Sequence, residues 1–164
     1  MRKLLALSAL LLASCGHAPV PSAQHPMLGQ AVTIALPTDG GALVSIPSQD
    51  GKSTVLDFWG PTCEPCRKKL PELVAKNAEL QARGARLILV AVLAVGEHGH
   101  QDQAKSTLQQ WGVDWPFLVD RSNASRSQLG VEGLPATLVV DAQGKLVWSA
   151  TPDATAQDVL AAIP

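Results

Sequence analysis

Two cysteines, Cys63 and Cys66, stand three positions apart in the stretch DFWGPTCEPCRKKLP. A pair at that spacing can clip a metal, staple a loop or exchange electrons. Structural zinc takes four ligands, usually two such pairs or one pair with two histidines at metal spacing, and beyond Cys15 the chain has this one pair. His98 and His100, in GEHGHQD, add imidazoles, but they follow an apolar run on a glycine-rich loop with no cysteine beside them. They are read as solvated loop residues, and no metal is expected. A disulfide across two intervening residues closes so small a loop that constraining the unfolded chain gains little. Redox chemistry suits the pair better. At the start of a helix, free amides and the helix dipole stabilise the thiolate of the first cysteine, the form that attacks disulfides. The second cysteine then resolves the mixed disulfide within the chain.

The surrounding sequence supplies elements that would hold such a pair. KSTVLDFW reads as a strand covered on both faces, because Val55 to Trp59 are apolar apart from Asp57. From Glu64 to Arg83 the apolar positions Leu70, Leu73, Val74 and Leu80 recur at helical spacing, with Gly84 as a stop and Pro71 expected to kink the helix. Upstream, QAVTIALPTDGGALVSI gives two short strands joined at Asp39-Gly40-Gly41. Downstream, ARLILVAVLAV reads as a central parallel strand and DQAKSTLQQWG as a helix ended by Gly112. WPFLVD is a further strand, NASRSQLG a short helix, ATLVVDAQGKLVWSA two strands around an Asp141 to Gly144 turn, and DATAQDVLAAI a closing helix. Alternation of this kind, ending in a hairpin, predicts an α/β domain with a mixed sheet flanked by helices.

The chain opens with Met-Arg-Lys, the apolar run LLALSALLLA and Ser-Cys, the layout of an export signal, and that run is too short to span a bilayer. LASC, Leu12 to Cys15, resembles the lipobox of bacterial lipoproteins. That resemblance implies a signal peptide over 1–14 and a lipidated Cys15 as the first mature residue; the alternative is an ordinary secretory signal with an incidental cysteine. Several acyl chains on one cysteine suffice for lasting anchorage. GHAPVPSAQHP, polar with three prolines, reads as a flexible tether, so that 15–27 link the lipid to a domain over 28–164. Gly16 rather than Asp after the cysteine points, by resemblance to proteobacterial lipoproteins, to the outer membrane. A hydrophobic content of 46% suits one folded domain, and a net charge of −1 gives neither a nucleic-acid footprint nor a polybasic lipid patch. A monomer is expected. Outside the cytoplasm idle thiols oxidise, so a pair kept there is either an oxidant or is re-reduced.

DFWGPTCEPCRKKLP, followed further along by GLPATLVVDAQGKLV, resembles the thioredoxin-fold proteins, and most closely the TlpA/ResA branch of membrane-associated thiol:disulfide oxidoreductases. The resemblance implies a thioredoxin-like fold with an N-terminal β-hairpin and a central strand-helix insertion, Arg86 to Trp111. It casts Cys63 as the exposed nucleophile and Cys66 as the buried resolving thiol of a redox-active disulfide. Pro135 matches the cis-proline, whose bond turns the backbone of Leu134 toward the cysteines to pair with a substrate chain. Trp59 matches the aromatic beside the site, and it is expected to meet substrate together with Glu64 and Pro65 between the cysteines. Asp57 matches the buried aspartate that passes protons to and from the resolving cysteine, and so apolar a strand would raise its pKa; the alternative is a strand-end aspartate facing water. Two positions depart from the pattern. Thr62 replaces a usual Trp, and Lys69 stands where many relatives have Glu, so that Asp57 would carry that acid's role. Lys69 is expected either to favour the Cys66 thiolate or to lie solvated.

Glu64-Pro65 provides no cation to stabilise a thiolate, unlike the Pro-His of oxidants of the DsbA kind, and this favours a reducing couple. The expectation is therefore a lipid-anchored reductase of exported protein disulfides in the bacterial cell envelope, without a cofactor. Cytochrome c apoprotein is the substrate, and a membrane thiol the electron donor, that the resemblance suggests. Two other readings stay open: a copper-binding or copper-delivery protein using both cysteines and a histidine, and a general disulfide oxidase or isomerase.

Overall fold

A computed structural model describes residues 24–93, 100–151 and 153–164. The signal segment 1–14, Cys15, most of the tether and His98 lie outside the described residues. Five strands form one sheet: β3 (Ser53–Trp59), β4 (Ala85–Val92), β5 (Phe117–Asp120), β6 (Ala136–Val140) and β7 (Leu146–Ser149), in the order β5-β4-β3-β6-β7. β3, β4 and β5 run parallel, while β6 pairs antiparallel with both β3 and β7. The sheet is mixed, as the sequence predicts. A separate hairpin, β1 (Ile34–Pro37) with β2 (Leu43–Ile46), turns at Gly41, whose φ of 88° suits glycine. It touches the sheet edge through an antiparallel bridge from Thr38 to Leu118.

Every residue of β3 is buried, so the strand's two-residue alternation sorts its side chains between two cores. Val55 and Trp59 join the core formed with α1 (Glu64–Ala75), α2 (Asn77–Ala82), α3 (His100–Gln110) and α5 (Ala156–Ala161). Leu56 and Phe58 join the opposite core, under the hairpin and beside α4 (Ala124–Gln128). Asp57 falls between Val55 and Trp59 in this alternation and thus faces α1. The segment 86–111 forms most of β4 together with α3, and β4 is an internal strand of the sheet.

The expected single helix to Arg83 is two helices, and the interruption is at Lys76 (φ −87°, ψ 3°) rather than at Pro71, which α1 passes through. Pro71 removes one backbone hydrogen bond. Leu70 and Leu73, fully buried on either side of it, contribute roughly 2 kcal/mol each and hold the helix against the sheet there. Residues 24–27, expected to belong to the tether, fold onto the domain. Leu28 N–H donates to the His25 carbonyl at 3.0 Å, Gly29 N–H to Leu146 at 2.8 Å, and Met27 packs on the core under the hairpin.

Candidate active site

The dithiol sits where the central strand hands over to its helix. β3 ends at Trp59, and the tight turn through Gly60 is closed by the Cys63 N–H donating to the Gly60 carbonyl at 3.0 Å. Cys63 is the N-cap of α1, with extended backbone and no side-chain cap, and proline occupies the first turn after it. Proline is favoured there because its missing N–H costs the helix nothing. The free amides of that turn therefore point toward the Cys63 end, where a thiolate would form. Cys63 and Cys66 are joined in a disulfide. Both are buried in this disulfide state, contrary to the expected exposed nucleophile, but unequally: Cys63 keeps 9% exposure and Cys66 none, so Cys63 is the one that retains contact with solvent.

Beneath the pair lies Asp57, with no exposed surface. Thr137, its register partner on β6, donates its hydroxyl to Asp57 Oδ2 at 2.6 Å. Lys69 Nζ stands 3.9 Å from the same oxygen. Asp57 Oδ1 is buried and has no hydrogen-bond partner among the described residues. Burial raises the Asp57 pKa to about 6, against the pull of the Lys69 charge and the Thr137 hydrogen bond. The acid is thus poised near neutral pH, as its apolar strand predicts, and it does not face water.

Four other expectations meet the geometry differently. Lys69 is not solvated: its side chain keeps only 14% exposure and reaches down to Asp57. Trp59 is not on a substrate-facing surface. It is wholly buried, edge-on to Trp111 at 5.7 Å and to Phe117 at 5.9 Å, because its position in β3 turns it under α1. Glu64 is exposed and lies 3.9 Å from Arg67, so its charge has a cation close by even though none stands between the cysteines. His100 begins α3, and among the described residues no group of three or more His, Cys, Asp or Glu is placed to hold a metal.

Pro135 follows a cis peptide bond from Leu134. Leu134 leans on the dithiol turn: a Cβ built on Gly60 would meet Leu134 Cδ1 at 3.3 Å and the Val92 carbonyl at 3.4 Å. Leu134, Pro135 and Pro65 line one end of a cleft of about 510 Å³ whose far side is His25 and Pro26. Pro26 approaches closely because Gly130 has no Cβ, which would stand 2.9 Å from Pro26 Cγ. Sequence reasoning missed Thr137 and this far wall. A lone hydroxyl in ATLVV, two residues past Pro135, was the available signal for the first; the second had none, since tether composition hides a folded end.

A dithiol at a helix start, a buried acid below it and an apolar cleft alongside define a thioredoxin-fold site for thiol–disulfide exchange. The AhpC/TSA family pattern matches residues 28–149, and the chain belongs to that family. It is 25% identical over 130 residues to the thiol-disulfide oxidoreductase ResA of Halalkalibacterium halodurans, covering 79% of this chain and 71% of that one. Against the protein of the same name from Bacillus subtilis it is 26% identical over 117 residues, covering 71% and 63%. A crystal structure of a Chlorobium tepidum protein described as thiol:disulfide interchange protein DsbE superposes with a TM-score of 0.69 at 25% identity, over 86% of this chain and 100% of that one. The chain is accordingly a thiol–disulfide oxidoreductase of the ResA and DsbE type.

Proposed function

We propose that the enzyme reduces disulfides of exported proteins, with Cys63 attacking, Cys66 resolving and Asp57 accepting a proton. The observation that carries this reading is the graded burial of the site: Cys63 at a helix start with some solvent contact, Cys66 with none, and a wholly buried carboxyl on the same face of the sheet. In the reduced enzyme the Cys63 thiolate attacks one sulfur of a substrate disulfide, and the other substrate sulfur leaves as a thiolate. Cys66 then gives its proton to Asp57 and attacks the Cys63 sulfur. The Cys63–Cys66 bond forms, the bond from Cys63 to substrate breaks, and two electrons have passed to the substrate. Asp57, with a pKa of about 6, returns its proton to water at neutral pH. A membrane thiol donor re-reduces the pair.

The direction is argued from the residues between the cysteines. Glu64 and Pro65 place no cation between the cysteines, and the nearby Arg67 and Lys69 stand beside Glu64 and Asp57, so the dithiol form is not drained toward thiolate as in strong oxidants. The cleft beside Pro135 and Pro65 suits an extended substrate chain around the attacked cysteine, and cytochrome c apoprotein is one exported protein with the required cysteines. Cys15 holds the enzyme by lipid to the periplasmic side of the envelope, at the outer membrane by its Gly16. Mature chain beginning at an acylated Cys15 is the expected mass; a mature chain retaining earlier residues contradicts the anchor. The reading as a whole is tested by the equilibrium reduction potential of the pair, with metal content measured on the same sample. A metal-free couple below about −220 mV is expected. A value near that of DsbA, about −120 mV, indicates an oxidase, and stoichiometric copper indicates a metal carrier.

A further inference from the structure

Lys69 arises from α1 one turn beyond Cys66, and its ammonium lies beside the buried carboxyl rather than in water. Lysines ordinarily keep the charged head solvated, and a shielded ammonium is costly unless it is paired. At 3.9 Å it is too far from Asp57 Oδ2 for a hydrogen bond, so it acts on the acid as a charge. Thr137 holds that same oxygen by a hydrogen bond. Oδ2 thus has a hydrogen bond and a nearby charge, while Oδ1 is buried with no hydrogen-bond partner among the described residues, an arrangement that costs stability. Among the described residues, the charge acting on Asp57 is that of Lys69; its β4 neighbour is Leu89 and its β6 neighbour Thr137.

We propose that Lys69 is a positioning residue of the exchange reaction, which with Thr137 keeps Asp57 a carboxylate whose Oδ1 stands free to take the Cys66 proton. The proposal rests on the reading of Asp57 as the proton acceptor. Its logic is electrostatic. Burial alone pushes the acid toward its neutral form, and Lys69 is the largest influence opposing that. Without the ammonium, Asp57 would keep its proton to higher pH, and near neutrality the resolving thiol would less often find an ionised base.

The test uses the full chain with Lys69→Met, Lys69→Arg and Asp57→Asn. Two quantities are read: the titration of the Asp57 carboxyl carbon by NMR in the oxidised protein, and the pH dependence of thiol release from a preformed Cys63 mixed disulfide with a small protein. Lys69→Met is expected to move the Asp57 titration up by about one unit and to displace the pH profile of release by the same amount, slowing release about twofold at pH 7 and about fivefold at pH 6. Lys69→Arg restores both. Lys69→Gln serves for the same readings where Met disturbs folding. An Asp57 titration unchanged in Lys69→Met overturns the proposal, as does slow release at every pH that Arg does not rescue. Asp57→Asn separates the two layers. Wild-type release in Asp57→Asn removes Asp57 as acceptor, whereas slow release there with wild-type behaviour in Lys69→Met removes only the role of Lys69.

Discussion

The two oxygens of the buried Asp57 carboxyl differ: one meets the Thr137 hydroxyl and the Lys69 charge, and the other has no hydrogen-bond partner among the described residues. Such a site lowers stability. Because the folded pKa is raised, from 3.8 to about 6, the unfolded chain ionises first as pH rises. The cost is absent below about pH 4, grows between there and about pH 6, and is complete above, reaching roughly 2–3 kcal/mol. Asp57→Asn is therefore expected to stabilise the oxidised protein at pH 7 by about 2 kcal/mol and to flatten the decline between pH 4 and 6. Urea unfolding across that range checks it; equal pH dependence in both proteins contradicts the assignment. At this scale the sequence was most informative. The Cys63–Cys66 spacing and an acid isolated in an apolar strand are local signals, readable without coordinates. The destination of Lys69 was not, because a flexible stem four carbons long finds its partner only when α1 is laid across β3.

The elements are placed by alternation and burial, and each hand-over between them matters to the site. The two-residue period of β3 determines that Asp57 looks toward α1, and this was implicit in VLDFW once the strand was recognised. The end of α1 was less legible. Pro71 is a strong local breaker, yet the burial of Leu70 and Leu73 outweighs it, and the helix ends at Lys76 instead. Gly60 joins two elements that are remote in sequence, since it lets the dithiol turn pack on Leu134. Gly60→Val is expected to destabilise the domain by roughly 1–3 kcal/mol through overpacking. It should also push Leu134 into the cleft, lowering the reduction rate of a protein disulfide more than that of a small aromatic disulfide. Equal rates relative to wild type on both substrates would show that this contact does not shape the cleft.

For the whole molecule, the sheet order places the redox pair at the end of its central strand, with a core on each face to hold it still. The mixed sheet, the N-terminal hairpin and the closing helix follow from hydrophobic period and turn residues, and these were legible. The far wall of the cleft was not. Residues 24–27 have the composition of a linker, and they are held by the seat of Pro26 at Gly130, the packing of Met27 on the core, and the backbone bonds that Gly29 and Gln30 just after them make with Leu146. Everything proposed for the reaction depends on Cys63 being the sulfur that meets substrate and Cys66 the sulfur that frees it. Capture of mixed disulfides in the cell envelope tests this most directly. Cys66→Ser removes the resolving step and is expected to accumulate disulfide-linked complexes with exported proteins, released by reductant, while Cys63→Ser accumulates none. Complexes formed through Cys63→Ser in place of Cys66→Ser, or by neither variant, would contradict the account.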